Sequence, residues 1–135
     1  MREFKFRAWH KVEKVMAKVE LLNFEFQLAD LHITHDWFID NVNFSDIELM
    51  QYTGLKDRNG KEIYEGDIVS VKTEDPNICY IGYIDFNGGA FYFNSKKKFF
   101  DGEHYTDETL LSNFVSVCEV IGNIYENEEL LKQKE

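Results

Sequence analysis

Apolar and polar side chains alternate with a period of two along most of the chain, the repeat of a strand with one buried face. Phe4, Phe6 and Ala8 alternate with Lys5, Arg7 and Trp9. Val15, Ala17, Val19 and Leu21 alternate with Met16, Lys18, Glu20 and Leu22. After Asn23, the series Phe24, Phe26 and Leu28 continues with Glu25 and Gln27 opposite. Each run predicts a strand. Residues 29–46 break the pattern, because His32, His35 and aspartates interrupt Leu31, Ile33, Trp37, Phe38 and Ile39. A long excursion with partial structure is expected there, and such loops usually have a functional reason.

Strand text resumes at 47–52. Asp57-Arg58-Asn59-Gly60 then supplies a turn, and Gly66-Asp67 another, before Ile68-Val69-Ser70-Val71. Pro76-Asn77 marks a turn ahead of the apolar stretch 78–86. Asn87-Gly88-Gly89 predicts a tight hairpin onto Ala90-Phe91-Tyr92-Phe93. Lys96-Lys97-Lys98 and Asp101-Gly102 read as a loop. Thr106, followed by Asp107 and Glu108, reads as the capped start of a short helix. Residues 116–125 return to strand, and Asn127 caps a predicted final helix over 128–134.

The expected fold is therefore mainly β: a β-rich α+β chain forming a small antiparallel barrel or rolled sheet with one or two short helices. The run 67–125 has the strand count of a five-stranded SH3-like barrel. The chain is 135 residues long, which suits a single domain over 1–135. A subdivision into a β-rich segment 1–50, holding the excursion 29–46, and a barrel-like segment 51–135 is the alternative.

Composition narrows the partners. Twenty-five acidic and fifteen basic side chains leave a net charge of −10. That disfavours general nucleic-acid binding, which rests on Lys and Arg, and suits a basic partner. A 44 % hydrophobic share excludes wholesale disorder. No apolar run approaches the roughly 18 residues of a membrane span. No apolar core follows Met1-Arg2-Glu3-Phe4-Lys5, so no signal peptide is expected. Cys79 and Cys118 lie far apart in strand text and read as reduced, half-buried thiols of a cytoplasmic protein.

Three blocks carry a family likeness. The first is Arg2-Glu3-Phe4-Lys5-Phe6-Arg7-Ala8-Trp9. The second is Leu49-Met50-Gln51-Tyr52-Thr53-Gly54-Leu55-Lys56-Asp57-Arg58-Asn59-Gly60-Lys61-Glu62-Ile63-Tyr64-Glu65-Gly66-Asp67-Ile68-Val69. The third is Cys118-Glu119-Val120-Ile121-Gly122-Asn123-Ile124-Tyr125-Glu126-Asn127, followed by Glu129-Leu130-Leu131. In this order and spacing the chain resembles the YopX family of small phage and prophage proteins. The resemblance implies a prophage origin in a Gram-positive bacterium, an intracellular setting, a mainly β domain and homo-oligomers. It brings no activity and no site residue.

Candidate chemistry is sparse. His32 and His35, flanked by Asp30 and Asp36, would share a face on a helix and could chelate a metal. On a strand they would diverge. No metal, cofactor or catalytic residue is assigned from them. Cys79 and Cys118 lack a nucleophile signature. No Gly-rich phosphate loop ends in Lys and a hydroxyl residue, and the 57–62 turn lacks the ligand spacing of a calcium loop. Tyr92 beside Lys96, Lys97 and Lys98 would suit single-strand stacking with phosphate contacts. Trp9, Trp37, Phe38, Phe99 and Phe100 exceed what a small core hides, and large rings outside a core anchor interfaces.

The reading is a non-enzymatic module that self-assembles and binds a host or phage protein with a basic surface. Its interface is expected at Trp37, Phe38, Phe99 and Phe100. Single-stranded nucleic-acid binding is the runner-up and a metal-dependent enzyme the third.

Overall fold

The computed structural model describes residues 2–100 and 105–132, without the side chains of 96, 98–100, 105 and 106. It is built from strands β1 (Phe6–His10), β2 (Val15–Asn23), β3 (Leu28–Thr34), β4 (Trp37–Asn43), β5 (Ile47–Lys56), β6 (Glu62–Tyr64), β7 (Asp67–Lys72), β8 (Cys79–Asn87), β9 (Ala90–Phe100), β10 (Tyr105–Leu110) and β11 (Cys118–Asn123). The helical pieces are short 3-10 turns at Phe44–Asp46, Leu111–Asn113 and Glu128–Lys132. Two sheets result, ordered β4-β3-β2-β1-β5-β6 and β10-β9-β8-β7-β11. The pairs β1–β2, β1–β5, β2–β3, β3–β4, β7–β8, β7–β11, β8–β9 and β9–β10 are antiparallel. The mainly β expectation holds. Barrel closure does not occur among the described residues, because each sheet ends in strands that do not pair with one another.

The chain divides into two compact units, Met1–Tyr52 and Thr53–Glu135. In the first, Ala8, Ala17, Ala29, Leu31, Val42 and Ile47 are buried together, with Val19, Leu22, Ile33, Ile39, Phe44 and Leu49 packed on them. Ala8 lies directly opposite Ala17 on one side and Leu49 on the other, so the apolar alternation of three strands meets on one face.

Three expectations for this unit fail for identifiable reasons. A bulge between Val19 and Leu21 adds a residue to β2. It turns Leu21 out to 52 % exposure and brings Leu22 to the core in its place. The alternation does not continue through Phe24 and Phe26. The Asn23 side chain accepts the Phe26 N–H (3.0 Å), Gln27 takes φ 55°, and both rings stand exposed on a turn. The excursion 29–46 is largely a bulged hairpin, β3 with β4, whose Leu31 and Val42 supply core contacts. Its polar residues are the outward half of each strand.

The second unit buries Ile63, Val69, Val71, Ile84, Phe93, Leu111 and Cys118. Fully burying side chains of this size contributes about 1.5–3 kcal/mol each for the larger ones. Interior strand β7 is buried from Asp67 through Val71, which is why its text reads as a near-continuous apolar run. The Gly88-Gly89 loop joins Asn87 to Ala90 with φ 58° and 85°, the left-handed pair a two-residue hairpin turn requires.

Here too the structure corrects the sequence. The stretch expected to begin a helix at Thr106 is strand β10, with Thr109 buried opposite Phe93. A cross-strand partner outweighs a good N-cap residue. Lys96, Lys97 and Lys98 lie within β9 rather than in a loop. Asp101 and Gly102 lie outside the described residues. In place of the final helix expected over 128–134, Glu128–Lys132 is a 3-10 stretch and Asn127 accepts the Asn123 N–H at 3.1 Å; residues 133 and 134 lie outside the described residues.

Candidate functional site

From Thr53 onward, the second and third blocks of the family likeness meet in the second unit. Asp57 opens the turn between β5 and β6 and is 6 % exposed. Its Oδ1 accepts the N–H groups of Asn59 (2.8 Å) and Lys61 (2.9 Å), and its Oδ2 accepts that of Val120 on β11 (2.9 Å). Burial pushes this carboxyl up, but the three N–H donors and the Lys61 charge outweigh it and hold the group below its ordinary 3.8. The Arg58 N–H donates to the Cys118 carbonyl (3.0 Å), so the turn is stitched to β11 at two points.

The neighbouring motifs use the same device. Asp67, 2 % exposed, accepts the Tyr64 N–H at 2.8 Å. The Asn123 Oδ1 accepts the N–H groups of Tyr125 (3.0 Å) and Glu126 (2.9 Å). Its Nδ2 donates to Glu126 Oε1 (2.9 Å). These polar residues satisfy backbone groups at turns; their oxygen atoms are committed to N–H donors. Sequence reasoning identified the turns and missed the long link from Asp57 to Val120, which no local pattern signals.

Both cysteines are free thiols. Cys118 is fully buried, and burial, followed by the Asp57 charge, pushes its thiol up to about 11. Such a thiol stays protonated and acts as a small apolar side chain. Cys79, expected to be half-buried, is exposed where β8 begins.

The expected interface residues separate into those the structure describes and those it does not. Trp37 (37 % exposed) and Phe38 (52 %) stand on β4, the outermost strand of the first sheet. Phe38 stacks on its cross-strand partner His32, ring centroids 4.2 Å apart and 12° from parallel. His32 Nδ1 lies 3.0 Å from Glu20 Oε1. His35 sits in the turn that follows β3, apart from this stack. Among the described residues no three His, Cys, Asp or Glu side chains are grouped to hold a metal. The Phe99 and Phe100 side chains lie outside the described residues.

Of the residues considered for nucleic acid, Tyr92 lies between Asp85 on β8 and Leu110 on β10, beside a carboxylate rather than a cation. Lys97 places its ammonium 5.6 Å from the Tyr80 ring centroid. The Lys96 and Lys98 side chains lie outside the described residues. No helix among the described residues is long and apolar enough to cross a membrane.

The family model described as YopX protein matches residues 5–132. The chain belongs to the YopX family. Two solved structures resemble this YopX-family chain over nearly its full length. The crystal structure of protein EF1440 from Enterococcus faecalis is 28 % identical, covers 97 % of this chain and 99 % of its own, and has a TM-score of 0.63. The X-ray structure of protein yopX from Bacillus subtilis is 24 % identical, covers 94 % and 97 %, and has a TM-score of 0.62. The second likeness speaks to the fold alone. A comparison with curated proteins finds no match.

Proposed function

We propose that this YopX-family protein is a non-enzymatic module that assembles with a second copy of itself through β4. In a prophage and cytoplasmic setting, it would then present its acidic surface to a basic partner protein. One observation carries the reading: Trp37 and Phe38 stand exposed at consecutive positions of an edge strand. Large rings on a protomer surface are characteristic anchors of protein interfaces. The Phe38–His32 stack holds one ring in place before any partner arrives, which lowers the ordering cost of association. The two most distinctive titratable groups support a structural rather than catalytic role. Asp57 is engaged by three N–H donors, and Cys118 is held as a buried neutral thiol.

The charge gives the reading a signature. Copies carrying −10 repel one another, and salt screens that repulsion. Self-assembly therefore strengthens as salt rises, whereas nucleic-acid binding weakens steeply. Light scattering across a dilution series tests this directly. The expected result is a stable multiple of 16.0 kDa that Trp37→Ala disperses without changing the far-ultraviolet circular dichroism. A clean monomer at all concentrations and salts refutes self-assembly.

A further inference from the structure

A cavity of about 350 Å³ opens at the end of the β7–β11 ladder, lined by Arg58, Lys72, Thr73, Glu74, Ser116 and Val117. Three separate segments build it, and backbone bonds fix their spacing. The Arg58 N–H donates to the Cys118 carbonyl (3.0 Å), and the Lys72 N–H to the Val117 carbonyl (3.3 Å). Arg58 also follows Asp57 directly, so the three-donor anchor of that carboxylate sets where the Arg58 stem begins.

The polar groups around this cavity are unequal. Thr73 Oγ1 is already used, within reach of the Asp75 (2.9 Å) and Ile78 (3.0 Å) carbonyls. Among the described residues the side chains of Arg58, Lys72 and Ser116 pair with no protein group. Both cations are exposed at the rim of one recess, in a chain whose carboxylates outnumber its cations. A guanidinium fork, an ammonium and a hydroxyl match the oxygens of a phosphate group. Glu74 adds the opposite requirement. Its carboxylate repels a second anion and accepts from hydroxyl or amine donors. The volume exceeds what a bare phosphate fills. A second cavity among the described residues, lined by Asp107 and Glu108 with Tyr83, Asn94, Ser95 and Leu131, has no cation and offers no such fit.

We propose that the recess lined by Arg58, Lys72, Ser116 and Glu74 binds a small organic phosphate. The phosphate lies between Arg58 and Lys72 with the Ser116 hydroxyl donating to it, and a hydroxyl-bearing remainder donates to Glu74. The site is independent of assembly through β4.

The test is titration of the full chain with ribose 5-phosphate and with inorganic phosphate at low salt, followed by amide chemical shifts. Ribose 5-phosphate should bind saturably below about 1 mM and about tenfold more tightly than inorganic phosphate, shifting the amides of Arg58, Lys72, Ser116 and Val117. Arg58→Gln and Lys72→Gln should each weaken it about tenfold, while Lys18→Gln, an exposed lysine on β2, changes nothing. Glu74→Gln should tighten inorganic phosphate and weaken ribose 5-phosphate, a crossing that unspecific charge attraction does not produce. These exposed substitutions are checked for fold by the same spectra. Binding indifferent to Arg58 and Lys72, no saturation by about 10 mM, or no preference over inorganic phosphate overturns the proposal. So does a 5′-phosphorylated oligonucleotide binding far more tightly than ribose 5-phosphate, which would make the recess part of a nucleic-acid surface.

Discussion

Replacing Asp57 should destabilise the second unit by an amount that its hydrogen bonds set, and the loss should shrink in acid. Asp57→Ala removes the acceptor for the N–H groups of Asn59, Lys61 and Val120. A hydrogen bond to a charged group contributes about 1.5–3 kcal/mol net, and an orphaned buried donor costs about 1–3 kcal/mol. The Asn59 and Lys61 donors lie on an exposed turn where water can replace the carboxylate. Val120 is on β11, partly buried, and bears most of the cost. The expected loss at pH 7 is about 3–5 kcal/mol, at the upper end for a single polar substitution. Asp57→Asn keeps the shape but turns an amide donor toward an N–H, for a loss of about 2–4 kcal/mol. The carboxyl is held below its ordinary 3.8 in the folded chain. Its contribution is therefore fully present above the unfolded value and is lost as pH falls through the folded one. Urea unfolding followed by circular dichroism should show a wild-type advantage that is flat from about pH 7 to pH 5 and narrows below about pH 4. Amide exchange at Val120 should accelerate in both variants. A loss under about 1 kcal/mol at pH 7, or an advantage undiminished in acid, would refute the assignment of these bonds as the anchor.

Three further outcomes follow from the packing. Gly82→Ala should unfold the second unit or cost at least about 3 kcal/mol, since a Cβ there would strike the Asn94 carbonyl oxygen and lie 2.7 Å from Phe93 Cε1; thermal denaturation reads this. A chromogenic disulfide reagent at pH 8 should react with Cys79 alone in the native chain and with both thiols in denaturant, because Cys118 is buried with its thiol pushed up to about 11. His10→Ala should cost about 1 kcal/mol in urea unfolding, because the ring Nδ1 accepts the N–H groups of Val12 (3.3 Å) and Glu13 (3.1 Å) across the β1–β2 turn.

What could be read from the chain was whatever local periodicity and turn chemistry encode. The β1, β2 and β7 texts, and the Gly88-Gly89 hairpin, announce themselves because one residue's neighbours suffice to set its conformation. The β3–β4 hairpin was hidden because its outward residues, His32, Asp40 and Asn41, are polar enough to imitate a loop. Strand β10 was hidden by Thr106, Asp107 and Glu108, whose helix-starting preference loses to pairing with β9. The recess lined by Arg58, Lys72 and Ser116 was invisible for a different reason: its members lie 14 and 44 residues apart in sequence, and only the β7–β11 ladder brings them together.

That ladder also explains how the family blocks relate to one another. The central block supplies the turn at Asp57 and then β7; the third block supplies β11 and the turn at Asn123. Neither block completes its own hydrogen bonds. Asp57 needs the Val120 N–H, the Gly66 carbonyl takes the Ile124 N–H, and the Arg58 N–H needs the Cys118 carbonyl. The two blocks are thus one structure written in two places. Within that structure the acids Asp57 and Asp67 are turned inward onto N–H donors, while the Arg58 guanidinium, on the same rigid turn, is left without a protein partner among the described residues. The backbone from which Arg58 projects is thus fixed by the Asp57 and Cys118 bonds, while its exposed side chain stays open to a ligand. This is the physical reason to look for a ligand at Arg58 before any other residue of the motif.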